Sequence, residues 1–240
     1  MSAGVVMVSP NFHPYVGGAE KQALELSKAL CGSGLEVTVL TRRVLGLPAR
    51  EVIGGVRIWR LPVLRMGLLD PLSFMAGVFA WLVLSSQTWR VVHVHLAGSP
   101  AVAAALAARI LGRQAIVKVG GGRGIGELAV SSGTPSGRLK LGVLEMLAPL
   151  FVSVTGDLVE ELREHGLGQA PVAVVPNGVD TEAYVPAPAA GKASARAGLG
   201  WPASGLAFLF VGGWRPRSAS TPSSRSSSPR CARRAPTRSS

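Results

Sequence analysis

The sequence predicts an α/β protein built on a doubly wound parallel sheet and followed by a disordered basic tail. Three observations predict it. Short β-branched runs alternate with helical patterns along most of the chain. The runs are apolar throughout rather than at every second residue, the mark of strands covered on both faces. Most of them open into loops containing glycine, serine or proline.

Each element can be justified in turn. Val5–Val8 is a β-branched run closed by Ser9-Pro10. In "AEKQALELSKAL", Ala19, Ala23, Leu26 and Leu30 recur at helical spacing, and Gly32 and Gly34 stop the helix. Strands follow at Leu35–Thr41 and near Val56–Leu61. The most membrane-like run, Pro71 to Ser86, has a continuous apolar stretch shorter than the roughly 18–20 residues of a span, so it reads as a buried helix. Arg90–Leu96 is a strand, and "SPAVAAALAARILG" a helix with Ser99 as N-cap and Pro100 in the first helical position. "QAIVKVG" is a strand, "GRLKLGVLEMLAPL" a helix and "FVSVT" a strand. "DLVEELREHG" is a helix with Asp157 and Glu160 in capping-box spacing and Gly166 as terminator. "PVAVVPNGV" closes the series.

Composition removes several classes of function. The mean hydropathy of +0.34 and 48% hydrophobic residues supply a sizeable core. The net charge of +12 suggests a polyanion partner until it is located. Seven of the 25 basic residues lie between Gly212 and Ser240, where there is no acid; the remaining 211 residues carry 18 basic and 13 acidic side chains. No aromatic is interleaved after Trp214 to stack on bases, which argues against nucleic acid as a partner. Cys31 and Cys231 form no CxxC pair, against both a disulfide framework and a zinc site. "MSAGVVMVSP" has no basic leader and enters a strand at once, unlike a signal peptide.

Ligands of doubly wound sheets bind beyond the carboxyl ends of the strands, so the loops there hold the candidate residues. Gly17-Gly18 precedes a helix, where close backbone approach and unpaired N–H groups suit an anion; an ordinary tight turn explains it equally. "VGGGRGIGEL" surrounds Arg123 with glycines but is neither a dinucleotide fingerprint nor a phosphate loop. In "VHVH", His93 and His95 share one strand face, with no third ligand nearby in sequence for a metal. Asn177-Gly178 reads as a turn with positive φ.

In this order, "FHPYVGGAEKQALELSKAL", "VVHVHL", "VKVGGGRGIGEL", "VSVTGDLVEEL" and "VVPNGVDTEAYVP" resemble the family 4 glycosyltransferases of the GT-B fold, over residues 1 to about 186. The resemblance implies two Rossmann-like domains facing each other across a cleft, the first holding the acceptor and the second a nucleotide-sugar. It implies transfer with retention, no cofactor and no metal. Gly17 and Gly18 would then reach the donor diphosphate; His95, Gly121, Gly122 and Arg123 would line the acceptor side; Asn177, Gly178 and Asp180 would form the hinge. The domains implied are an acceptor-side domain over 1–180, a linker over 181–205, the first strand of a donor domain over 206–213 and a tail over 214–240. The partners implied are a nucleotide-sugar and a glycan or glycolipid acceptor, in the cytoplasm, with peripheral contact at the inner face of the membrane permitted. The rival reading is a non-catalytic sugar- or partner-binding domain.

Two departures matter. Many relatives carry a cleft histidine where this chain has Gly120, leaving His95 and His13 as the catalytic candidates. In "FLFVGGWRPRS", Gly213 and Ser218 stand where the family places the Arg and Lys that neutralise the leaving diphosphate. The chain as given is therefore expected to be catalytically incomplete. Seven arginines, nine serines and four prolines in the last 29 residues bury too little apolar surface to fold. Restoring one nucleotide before Ser218 permits K-R-L-D-T-L-L-E in place of "SASTPSSR", which supplies the missing lysine on an amphipathic helix; a frame slip is the expectation.

Overall fold

The structure, a computed structural model, describes residues 4–15, 17–120 and 126–208. The chain divides into two compact units, Met1–Tyr184 and Val185–Ser240.

The first unit is an eight-stranded sheet in the order β3-β4-β2-β1-β5-β6-β7-β8. The chain runs β1 (Gly4–Val8), α1 (Gly18–Gly32), β2 (Glu36–Arg42), β3 (Arg50–Ile53), β4 (Val56–Leu61) and α2 (Leu69–Leu84). It continues through β5 (Val91–His95), α3 (Ser99–Ile110), β6 (Gln114–Val119), α4 (Glu127–Ser132), α5 (Pro135–Leu147), β7 (Leu150–Ser153), α6 (Asp157–Glu164) and β8 (Val172–Val174). Every pairing is parallel except β3 with β4, an antiparallel edge closed at Gly54-Gly55. Strand order grows outward from β1 in both directions, so the sheet switches direction between β1 and β5.

The two faces have separate cores. Met7, Val37, Val39 and Ile58 pack with Ala23, Leu26 and Leu30 of α1. Val6, Val8, Leu40, Val92, Val94 and Val117 pack with Phe74, Val78 and Leu82 of α2, the alanines of α3, and Leu141 and Leu144 of α5. Alternate residues of β1 thus feed opposite cores, which is why its sequence is apolar without a period of two.

Three local expectations are corrected. Gly98, extended at φ −78°, is the N-cap of α3, so Ser99 and Pro100 are its first two helical residues. The proline costs nothing there because first-turn N–H groups have no helical partner. Gly156 caps α6 without any side-chain hydrogen bond, and Glu160 pairs with Arg163 at 2.5 Å instead of closing a capping box. Gly178 does not adopt positive φ, and neither does Asn177. Gly166 does end α6 with φ +83°.

Within the second unit, α7 (Ala189–Gly198) has no buried residue. Arg196 donates to the carbonyls of Pro202 and Gly205, both at 2.7 Å, and wraps the chain back over the helix end. Leu206 to Phe208 have no regular structure, and the rest of the segment read as a strand and tail lies outside the described residues.

Candidate functional site

A cleft of about 460 Å³ opens where the sheet changes direction, lined by Gly18 and Gln22 of α1, His95, Lys118, Gly120, Asp157, Glu161 and Asn177 among others. The reversal of strand order creates it: α1 leaves β1 toward one side and α3 leaves β5 toward the other, and a gap opens between them.

The helix terminus on its floor begins at Gly17, which is extended (φ −133°) and accepts from Lys21 N–H at 3.0 Å. The N-cap has no side chain to satisfy the first-turn amides. The Glu20 carboxylate lies where a Cβ on Gly17 would project, whereas a Cβ on Gly18 would meet nothing. Glycine at 17 thus makes room for Glu20, and glycine at 18 leaves the α1 terminus open to the cleft.

The opposite wall comes from β5 and β6. His93 and His95 project from the same strand face and stack, with ring centroids 4.6 Å apart and 21° between planes. Both are buried, and neither Nε2 has a hydrogen-bond partner among the described residues. Burial, with smaller contributions from His93 and Lys118, lowers His95 to about 3; burial and Lys118 lower His93 to about 4. Both imidazoles are therefore neutral at pH 7 and available as hydrogen-bonding groups rather than cations. Lys118 pairs with His95 in the strand register, donates to Asn177 Oδ1 at 2.6 Å, and is itself lowered by burial.

Two carboxylates finish the geometry. Glu127 accepts from the N–H groups of Ala97 (3.2 Å) and Gly120 (3.1 Å), clamping together the loops that follow β5 and β6. Leu96 between them is held at φ +75°, unusual for a residue with a Cβ. Its Cδ2 would lie 3.3 Å from a Cβ on Gly120, so the Leu96 side chain crowds the position where a histidine was expected. Glu161 is 3% exposed on the inner side of α6, and neither of its carboxylate oxygens has a hydrogen-bond partner among the described residues.

The segment 177–184 is fixed beside α1. Gln22 donates to the Gly178 carbonyl at 3.1 Å, and Lys21 to the Tyr184 hydroxyl at 2.7 Å. Asp180 Oδ1 accepts from Glu182 and Ala183 N–H, shaping the turn.

The structure thus brings Gly18, His95 and Asn177 to one cleft, with Gly17, Gly178 and Asp180 beside it. His13 stands exposed on the loop after β1, and its carbonyl accepts from Arg60 at 3.1 Å; it does not line the cleft. Gly121, Gly122 and Arg123 lie outside the described residues. Sequence reasoning missed Lys118, Glu127 and Glu161. The signals were present: a lysine inside an apolar parallel strand, and a glutamate at apolar spacing between Leu158 and Leu162. Among the described residues no group of three or more His, Cys, Asp or Glu is arranged to hold a metal ion.

The chain is 30% identical over 223 residues to the D-inositol 3-phosphate glycosyltransferase of Kineococcus radiotolerans, covering 83% of this chain and 49% of that protein. It is 30% identical over 217 residues to the enzyme of the same name from Xylanimonas cellulosilytica, covering 82% of this chain and 51% of that one. The chain spans about half the length of these curated relatives. An Anabaena protein solved with UDP and glucose superimposes with a TM-score of 0.58 at 15% identity, over 82% of this chain and 50% of its own. Sucrose-phosphate synthase from Thermosynechococcus elongatus superimposes with a TM-score of 0.59 at 16% identity, over 83% of this chain and 53% of its own. Both share the GT-B fold. Residues 16–183, the greater part of the chain and all of the cleft just described, match Glycosyltransferase Family 4, and the chain belongs to that family.

Proposed function

We propose that this chain is the acceptor-side half of a retaining, metal-independent glycosyltransferase that moves a sugar from a nucleotide-sugar to a saccharide or lipid-linked acceptor. The observation that carries it is the cleft at the switch point, which joins an open helix terminus to buried, neutral hydrogen-bonding groups. Gly17 and Gly18 approach the donor diphosphate through backbone N–H groups, with the Glu20 carboxylate moving aside as the anion arrives. His95, with Gly121, Gly122 and Arg123, meets the hydroxyls of the acceptor. Asn177, Gly178 and Asp180 form the hinge that leads out of the domain. The Anabaena complex supports a nucleotide-sugar donor, and the relatives' names add a phosphorylated inositol as an acceptor to be tested beside saccharides and lipid-linked ones.

The charges that neutralise the leaving diphosphate are absent at Gly213 and Ser218, so the chain is catalytically incomplete by itself. A frame slip before Ser218 accounts for this. An uninterrupted gene with no second-domain sequence downstream in any frame would disprove it.

Calorimetric titration tests the functional reading. The chain should bind D-inositol 3-phosphate or a related polyol measurably, in the presence of EDTA, and bind UDP-glucose no more tightly than about millimolar. Arg123→Ala should weaken the polyol and leave the melting temperature nearly unchanged. Micromolar binding of UDP-glucose would contradict the loss of the donor-side charges at Gly213 and Ser218, and polyol binding indifferent to Arg123→Ala would contradict the acceptor assignment.

A further inference from the structure

Three residues, Leu96 to Gly98, link the end of β5 to α3, and the first of them is tied on both sides. Leu96 N–H donates to the Lys118 carbonyl at 3.1 Å. The next N–H, that of the fully buried Ala97, donates to Glu127 Oε1 at 3.2 Å, and the same oxygen accepts from Gly120 N–H at 3.1 Å. One carboxylate oxygen thus sets the spacing of the loops after β5 and β6, with the Leu96 backbone between them in the left-handed region at φ +75°. A residue with a Cβ keeps that conformation only where its surroundings over-determine it. Glycine would hold the same backbone more readily. What leucine adds is a half-buried side chain that lines the switch-point cleft and reaches toward Gly120.

The surroundings of Gly120 show what that side chain does. Apart from its chain neighbours, a Cβ on Gly120 would have one atom of the described residues within 4 Å, Leu96 Cδ2 at 3.3 Å. The wall of the cleft at this point is therefore a single aliphatic group. Lys118, Asn177 and Asp157, which also line the cleft, carry polar atoms that suit sugar hydroxyls. Leu96 offers a hydroxyl nothing; it can face the carbon side of a ring or block a substituent. The cleft of about 460 Å³ also has to take the donor diphosphate beside Gly18, so a wall at Gly120 decides how much room an acceptor has left.

We propose that Leu96 sets the acceptor specificity of this cleft: its fixed side chain closes the Gly120 end and limits the acceptor to a single ring, which rests on the acceptor-side reading of the cleft given above. Glu127 is the positioning residue that holds Leu96 there.

Calorimetry of the full chain with D-inositol 3-phosphate, which has one ring, and trehalose 6-phosphate, which has two, tests it. The unaltered chain should bind the first about tenfold or more tightly than the second. Leu96→Gly keeps the left-handed backbone and removes the wall. It should bring the two affinities within about threefold, chiefly by strengthening the disaccharide. Glu127→Ala should do the same, whereas Glu127→Gln keeps an oxygen for both amides and should retain most of the preference. A merely structural role would not separate these two variants at temperatures where a thermal melt shows both folded. The wall can also be read without a ligand. Gly120→Val should lower the melting temperature by about 3 °C or more, and by much less when Leu96→Gly is also present. If D-inositol 3-phosphate binds and Leu96→Gly leaves the preference unchanged, the proposal is overturned and the acceptor-side reading stands. If neither phosphate binds, the reading is overturned and the proposal with it. Additive effects of Gly120→Val and Leu96→Gly on the melting temperature would show that the two side chains do not meet, and would overturn the proposal whatever binds.

Discussion

Two clefts of about 460 Å³ each open near the carboxyl ends of the same sheet, and they are built on opposite principles. The switch-point cleft contains buried polar side chains that have no hydrogen-bond partner among the described residues: His95, at its Nε2, and Glu161. The second, lined by Thr41, Arg42, Arg43, Arg65 and Asp70, contains charges that are mostly tied to the protein. There Arg42 pairs with Asp70, and Arg65 holds the Arg43 carbonyl. Behind it the buried Arg60 bonds Glu51 and the carbonyls of Pro48 (3.0 Å) and His13 (3.1 Å). The difference teaches where binding capacity is stored. Polar groups that the fold leaves unmatched at a cost in stability are available to a ligand; groups the fold has matched hold loops in shape.

Acid should expose that contrast most strongly. His95 at about 3 and His93 at about 4 lie below their ordinary value of 6.5, chiefly through burial. As pH falls from 6.5 toward 4, the unfolded chain takes up protons that the folded chain does not. Stability is therefore lost over that window by ~1.4 kcal/mol per pH unit for each histidine. His93→Leu should flatten the dependence of melting temperature on pH there, since it removes one buried imidazole and its effect on the other. An unaltered slope would mean that other groups govern acid sensitivity.

Arg60→Ala should cost ~3 kcal/mol, measured as a shifted urea midpoint, because it leaves Glu51 and two carbonyls without their donor. Polyol binding at the first cleft should survive at temperatures where the variant is folded. Loss of that binding in the folded variant would show that the clefts are coupled.

The smallest effect should have the opposite sign. Glu161→Leu removes a buried carboxylate that no described residue satisfies, and should raise stability by ~1–2 kcal/mol while weakening polyol binding. A fall in melting temperature would show that the carboxylate serves the fold itself.

Much of this architecture was legible in the residues, and the exceptions have physical causes. β1, β2 and β4 to β7 were read close to their observed limits because strands buried in a parallel sheet are short continuous apolar runs, whereas β8 is only three partly exposed residues within the longer stretch read there. β3 was missed: at four residues, two of them charged, an antiparallel edge strand owes its existence to β4 beside it. α4, six residues after a glycine-rich loop, was missed because its anchors are Leu128 and Ser131 packed into a core assembled elsewhere. The cleft was half legible. Glycines before a helix and paired histidines announce themselves through local chemistry, whereas Glu127 matters only because two loops from different strands converge on it.

The sequence by itself determined the alternation of strands and helices, the loops in which function lies, the family, and the concentration of basic charge after Gly212. Each of these follows from local composition and order. Only the tertiary structure decided that His95, Lys118 and Glu161 share a cavity and that Leu96 crowds Gly120. Those outcomes depend on strand order and on which helix covers which face. Burial, and with it the protonation of the two histidines, is a property of the neighbours that the fold supplies.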